Sequence, residues 1–486
     1  MDRPKTAAAL ALAGLAGHAF FLPLSIAGMQ IGLAVAAAGV LLSPPRPLRT
    51  PLDVPALVFV GIAILSDLLA PSGPPAFAAA TLWRAVLGFI VVAHALRIAP
   101  PRTPWRLLVC LSVGLLCASV VGLLQYRTGF DLVHALGLRF APALVQAPGV
   151  EGRYGAMGFF TSRLTFGHNV TLVLATLAGA LVSGAVPAGF RIALGATCAL
   201  GLAAVAVTFD RAAYLGVVVA VAVLIVRGGR RRLAVALAAA AALGALHPAV
   251  RGRLSTAFSA SANPDRLFIW SRALDVIRDH PLHGVGFANY PLVLGPYYDR
   301  VDPQFFMRTW AHNLELSTLA EMGPLGLAAL FWLLIAAARM ALRSKSPFAL
   351  GALAALAAWF TIAQVHDVLY DTKVMYALWF SLAAATSQEP PPARASADAA
   401  AGDRPPRKRR RPGTSRCRAA SPEAAVPRWR ARSPRPPGTA RTPGKRRRGG
   451  ASTTGALPNA AGRARARSDR RKWRAWPDRL QARRKV

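Results

Sequence analysis

At 486 residues, 54% hydrophobic and with a mean hydropathy of +0.38, the chain is too apolar for a soluble globular protein. The formal charge of +37 does not mark a nucleic-acid-binding domain, because about half of the 58 Lys and Arg residues follow Gln388, where apolar residues are scarce. Cys110, Cys117 and Cys198 lie inside apolar segments and Cys417 in the basic tail, which excludes a disulfide scaffold and leaves them as small packing residues.

Arg3 and Lys5 precede a long apolar run with no small-residue cleavage site behind it, so the N-terminus reads as a retained helix and not a signal peptide. Apolar segments follow at 7–24, 26–42, 54–70, 77–96, 107–125, 168–187, 192–208, 212–227, 233–248, 314–341, 347–365 and 374–387. The first two are divided at Pro23, Leu24 and Ser25, and Asp210 with Arg211 divides 192–208 from 212–227. The expectation is an all-α polytopic protein of about twelve transmembrane helices. With that count the basic residues of the short loops, from Arg46 and Arg49 through Arg97, Arg102, Arg106, Arg191 and the 227–232 cluster to Arg339, Arg343 and Lys345, all fall on one side. By the positive-inside bias that side is cytoplasmic, with both termini inside.

Three polar elements then lie outside: the connection 126–167, the turn at Asp210 and Arg211, and the long stretch 249–312. Their arginines run against the positive-inside bias, and an anionic ligand explains them, since guanidinium groups clamp phosphate oxygens bidentately. Arg211, at a span boundary in TFDRAAYLG, is either such a ligand residue or a structural partner of Asp210 that snorkels to the interface. Arg266 opens an amphipathic run in which Leu267, Trp270, Ala273, Leu274 and Ile277 recur at helical spacing, as in a helix lying on the membrane surface. Asn263 or Asp265 would cap it, and the plainer reading of Arg266 is an exposed first-turn residue. The following HPLHGVGFANY marks a turn, and its lone GVG is weak evidence for phosphate binding.

His312, in AHNLEL, stands where the polar stretch re-enters the membrane as a helix, with Asn313 as a helix-start residue and Glu315 and Glu321 farther along. An imidazole suits a general base that activates a hydroxyl, and the plainer alternative is a capping or packing histidine. His168 in FGHN and His366 in VHDVLYD are further histidines at segment ends. No pair has zinc-site spacing on one helix, so no metal is expected. Beyond Gln388 the chain is rich in Pro, Arg, Ala and Gly, with basic clusters at 407–411 and 445–448, and is expected to be a disordered cytoplasmic tail (388–486) after a membrane domain (1–387). Contact with anionic lipid is one use for it; a solvated tail without a role is the plainer one, and no specific nucleic acid is expected.

The ordered chain resembles the O-antigen ligase and polymerase superfamily. The likeness rests on an arginine and a small residue at a span boundary (FDRAAYLG), an R-x-x-x-W-x-x-A-L pattern and a P-x-x-G-x-G turn from Arg266 to Gly286, and an H-N-x-x-L-x-x-x-x-E-x-G-x-x-G re-entry from His312 to Gly326. It covers roughly 150–330 by motif and the remainder by topology. The resemblance implies a cofactor-free, metal-independent, inverting glycosyltransferase of GT-C-like fold in the bacterial inner membrane, with its active face periplasmic. Its donor would be an undecaprenyl pyrophosphate-linked glycan and its acceptor the lipid A core or a growing glycan; a protein hydroxyl is the alternative within the superfamily. His312 would be the catalytic base, Arg211 and Arg266 the pyrophosphate ligands, and Arg163, His168 and Asn313 accessory residues. The rival of a different class is a transporter, which would put ionisable residues near mid-bilayer on several helices, whereas here the charges cluster at segment ends.

Overall fold

The computed structural model describes residues 3–44, 49–70, 79–137, 144–147, 150–245, 247–255, 264–298 and 310–387. The chain divides into a unit Met1–Asp403 and a unit Arg404–Val486; the expected tail from 388 onward and Asn263 lie outside the described residues.

The described part is helical throughout and, among the described residues, contains no strand. In chain order the helices are α1 (Arg3–Phe21), α2 (Ile26–Leu42), α3 (Asp53–Leu69), α4 (Ala79–Ile98), α5 (Thr103–Thr128), the single turn α6 (Leu132–Ala135), α7 (Arg163–Ser183), α8 (Ala188–Ala206), α9 (Arg211–Arg227), α10 (Arg231–Ala245), α11 (Pro248–Ser255), α12 (Pro264–Asp279), the short α13 (Tyr290–Val293) and α14 (Gly295–Tyr298), α15 (Leu314–Arg343), α16 (Ala349–Ala363) and α17 (Thr372–Ala384). Each apolar segment read from the sequence lies on one of these helices. Four of them, α5, α7, α8 and α15, are long and apolar enough to cross a membrane; α2 and α16 are apolar but shorter.

Local chemistry sets the breaks. Ser25 caps α2 by accepting the Gly28 N–H at 3.2 Å, so the Pro23–Ser25 interruption is a true helix boundary. Asp210 likewise accepts the Ala212 N–H at 3.0 Å and starts α9. Helix α7 is the centre of the bundle, buried from Phe166 to Val182. It packs on α16 at a point where a Cβ on Gly179 would fall 2.2 Å from the Gly351 Cα, so only glycine permits this approach. That contact fixes the position of the connection 364–371, which leaves α16 and returns as α17.

The described part of the polar stretch 249–312 is largely helix. Its α12 turns Ile269, Ala273 and Val276 inward, toward the cluster that holds Val285, Tyr290 and Ala320, while Leu267 and Leu274 stay exposed. The apolar face is therefore rotated from the set read off the sequence, in which Ala273 alone is a fully buried member. A second face is buried because α12 packs on α15 and not only on a membrane surface.

Helix α15 is broken at Gly323 (φ 65°), where the 284–286 turn docks. The N–H groups of Val285 and Gly286 donate to the Ala320 and Glu321 carbonyls at 3.0 and 2.9 Å. A Cβ on Gly323 would lie 2.0 Å from the Leu282 carbonyl oxygen. The GVG turn thus spends two of its N–H groups on the broken helix, which gives the glycines a structural purpose and removes the reading as a phosphate loop.

Candidate active site

Four long helices begin at one place. The N-caps of α7, α9, α15 and α17 are Ser162, Asp210, Asn313 and Asp371, each accepting backbone N–H groups of the turn it starts. The caps are tied together: Thr165 donates to Asp371 at 2.6 Å, and Asp210 binds His168 across the α7–α9 contact. Helix N-termini carry partial positive charge, so this end of the bundle favours anions even before side chains are counted.

His312 sits one residue before the α15 cap with a left-handed backbone (φ 50°), a conformation that costs a β-carbon residue energy and needs outside support. Asp367 supplies it. The His312 N–H donates to Asp367 Oδ1 at 3.0 Å, His312 Nδ1 contacts Asp367 Oδ2, and the Ser317 hydroxyl donates to Oδ1 at 3.1 Å. With Nδ1 committed to a carboxylate, Nε2 is the nitrogen left to take a proton from a substrate. The imidazole is about one-third exposed, so substrate can reach it.

Beside it, His168 Nε2 binds Asp210 Oδ2 at 2.7 Å and His366 Nε2 stands 3.8 Å from Asp210 Oδ1. Burial would raise the Asp210 pKa, but the two imidazoles hold it well below the usual carboxylate range. Burial in turn holds His366 below its ordinary 6.5, against the pull of Asp210. Ligand atoms of His168, Asp210 and His366 lie within 4.8 Å of one another, a set that could hold a metal. Zinc ligands in a tetrahedral site stand roughly 3.3 Å apart. The 2.7 Å His168–Asp210 separation is that of a direct ion pair instead. The set draws on three elements, which is why spacing along one helix did not reveal it.

The two arginines come in from the adjoining side. Arg266 donates to the Val365 carbonyl at 2.7 Å, one residue from His366. Burial and the charge of Arg211 depress its pKa, while Asp210 and Asp367 oppose the shift, so Arg266 lies within electrostatic reach of all three. Asp210 is engaged by both histidines. Arg163 donates to the carbonyls of Thr208 and Phe209 at 3.1 and 3.4 Å and braces the turn, strained at Phe209 (φ 54°), that presents Arg211. Asn313 caps α15 and donates to the Gln364 carbonyl at 3.3 Å, which joins it to the connection after α16.

A cleft of about 500 Å³ opens over this assembly, walled by His168, His312, His366, Asp367, Trp310 and Lys373 among others. Among the described residues that line it, Arg211 and Arg266 do not appear, but Arg266 is bonded to Val365, next to the lining His366. Trp310 stacks on Tyr370 at 4.4 Å, and Lys373 lies over the Phe160 ring at 5.0 Å. Behind the cleft, Tyr370 and the Ala288 N–H (2.9 Å) donate to the buried Glu321 carboxylate, locking the 364–371 connection to the broken α15.

Residues 196–331 match the family model described as O-antigen ligase, a stretch that includes Arg211, Arg266 and His312. This stretch is similar to the O-antigen ligase family, and the likeness supports that family for the chain. No curated protein matches it. The likeness supports glycan transfer of the O-antigen ligase type and a lipid-linked glycan substrate in general, and the apolar helices agree with a membrane setting. The family match ends before Asp367, His366 and Lys373, all in VHDVLYDTK. Sequence reading singled out His366 there and passed over the other two; the signal was a carboxylate-rich break between two apolar segments.

Proposed function

We propose that this chain transfers a glycan from an undecaprenyl pyrophosphate-linked donor to an acceptor hydroxyl, with inversion, at the periplasmic face of the bacterial inner membrane. All twelve long apolar segments cross the bilayer in this reading. His312 Nε2 accepts the proton of the attacking hydroxyl while Asp367 orients the ring and offsets its developing positive charge. The anomeric C–O bond to the donor phosphate breaks as the acceptor oxygen bonds from the opposite face. Arg211 and Arg266, with the gathered helix N-termini, stabilise the charge that builds on the departing pyrophosphate. Two guanidinium groups supply there the charge compensation that a divalent cation supplies in other enzymes. The acceptor is a glycan hydroxyl, on the lipid A core or on the growing chain.

The observation that carries this reading is the pairing of a cleft-lining His312 with Asp367, with Arg266 held nearby on the Val365 carbonyl. The test is transfer by purified full-length protein from a polyprenyl pyrophosphate-linked glycan, with lipid A core and glycan acceptors offered separately and with chelator present. Turnover that survives chelation and disappears in His312→Ala is the expected result. Loss of wild-type turnover on chelation would overturn the metal-free mechanism and turn attention to His168, Asp210 and His366.

A further inference from the structure

At the far end of α15 from His312 lies a second cleft, of about 670 Å³, that the glycan-transfer chemistry does not use. Beyond its break at Gly323, α15 runs from Pro324 to Arg343, and at 1.5 Å per residue these 20 residues span roughly 30 Å, about the hydrocarbon thickness of a bilayer. The two clefts therefore sit at opposite membrane boundaries.

Five cations converge on this cleft from separate parts of the chain. Arg49 comes from the segment before α3, Arg97 from the last turn of α4, Arg339 and Arg343 from the last turns of α15, and Lys345 from the connection to α16. All five are exposed, and among the described residues none forms a salt bridge. The carboxylate of Asp53, at the start of α3, is already bonded to the Thr50 N–H and hydroxyl at 2.7 and 2.5 Å.

The positive-inside bias accounts for cations at this boundary, and the negative end of the α15 dipole accounts for one or two near its terminus. Neither accounts for five in one cavity, with Arg339 and Arg343 at the mutually repelling i,i+4 spacing. The deeper lining on α15 is apolar. Trp332, 46% exposed, lies about two turns and Ala336 about one turn deeper than Arg339 on the same helix, and Met340 lies between the two arginines. A cation rim above an aromatic and aliphatic wall matches an amphiphile with an anionic head and an acyl tail, and a soluble anion would leave that wall unused.

We infer that this cleft is a binding site for an anionic phospholipid, its phosphate held by Arg339, Arg343 and the facing cations and its acyl chain lying along Trp332 and Met340. The inference requires only that α15 spans a bilayer, and it stands or falls independently of the glycan-transfer reading.

Full-length protein in nanodiscs would be photolabelled with a diazirine-bearing phosphatidylglycerol and, separately, with phosphatidylcholine of identical chains, and the adducts mapped by mass spectrometry. Phosphatidylglycerol labelling centred on residues 332–340 is expected to exceed phosphatidylcholine labelling. Each cation near an anionic lipid surface changes affinity about 5-fold, so Arg339→Gln with Arg343→Gln should cut occupancy roughly 30-fold. The Lys pair at the same positions should restore most of it, which separates loss of charge from misfolding. Mapping by position also separates this site from lipid gathered by the basic tail. Equal labelling by the two lipids, or labelling at 332–340 that the Gln pair leaves unchanged, would overturn the inference. So would complete displacement by millimolar inorganic phosphate, which would assign the cleft to a soluble anion.

Discussion

Replacing Asp367 with Asn isolates what the His312–Asp367 pair contributes. The substitution keeps an Oδ1 that can accept from the His312 N–H and Ser317 hydroxyl, so the strained backbone at His312 keeps its support. What is lost is the carboxylate oxygen at His312 Nδ1, a contact that is short and only 9% exposed on the aspartate side. A hydrogen bond to a charged group contributes about 1.5–3 kcal/mol, which corresponds to roughly 10- to 150-fold in rate if the bond is made fully only as the imidazole becomes charged. Losing the base itself costs about 10² to 10⁴, so Asp367→Asn should fall short of His312→Ala. The assay is steady-state transfer by purified full-length protein, with kcat and KM for the donor separated. The fall should appear in kcat with donor KM little changed. The double variant Asp367→Asn with His312→Ala should be no slower than His312→Ala alone, since the aspartate acts through the histidine. A near wild-type kcat for Asp367→Asn, or a further tenfold loss in the double variant, would refute the argument.

Arg266→Lys and Arg211→Lys should each retain a minority of wild-type turnover, because a point charge replaces a planar fork and, for Arg266, the bond to the Val365 carbonyl is disturbed; equal activity of the Lys and Ala variants would contradict this. Gly323→Ala forces a β-carbon against the Leu282 carbonyl at φ 65° and should cost at least about 2 kcal/mol, seen as a lowered Tm in detergent and a smaller folded fraction after insertion. Because burial holds the folded-state pKa of His366 below 6.5, the unfolded chain binds its proton more readily; stability from this group is full above about 6.5 and falls as pH drops below it. Tm should therefore decline between pH 7 and 5, with a smaller slope in His366→Gln, and the depressed Asp210 adds loss in the same direction only at much lower pH. Truncation after Gln388 should leave transfer intact, since the site is built from residues before it; an inactive truncation that inserts at normal levels would assign the basic tail a role in the reaction.

The helices were legible in the sequence because a membrane helix is a local object. A long apolar run and its capping residue specify it within one stretch of chain, so Ser25, Asp210 and Asn313 could be read as breaks or starts without reference to anything distant. His312, Arg211 and Arg266 were legible for a related reason: each is an ionisable residue at a segment end, where its cost in an apolar chain demands an explanation. Tertiary structure alone decided what they touch. Asp367 reaches His312 across 55 residues and His168 pairs with Asp210 across 42, contacts made between separate elements of the bundle. No periodicity in either segment encodes such a meeting. The inward face of α12 was misread for the same reason, since an amphipathic pattern gives the presence of an apolar surface but not whether lipid or another helix covers it. The glycines of HPLHGVGFANY and Gly323 carry the same division: the sequence marks a turn and a helix break, and only their docking shows that each exists to receive the other.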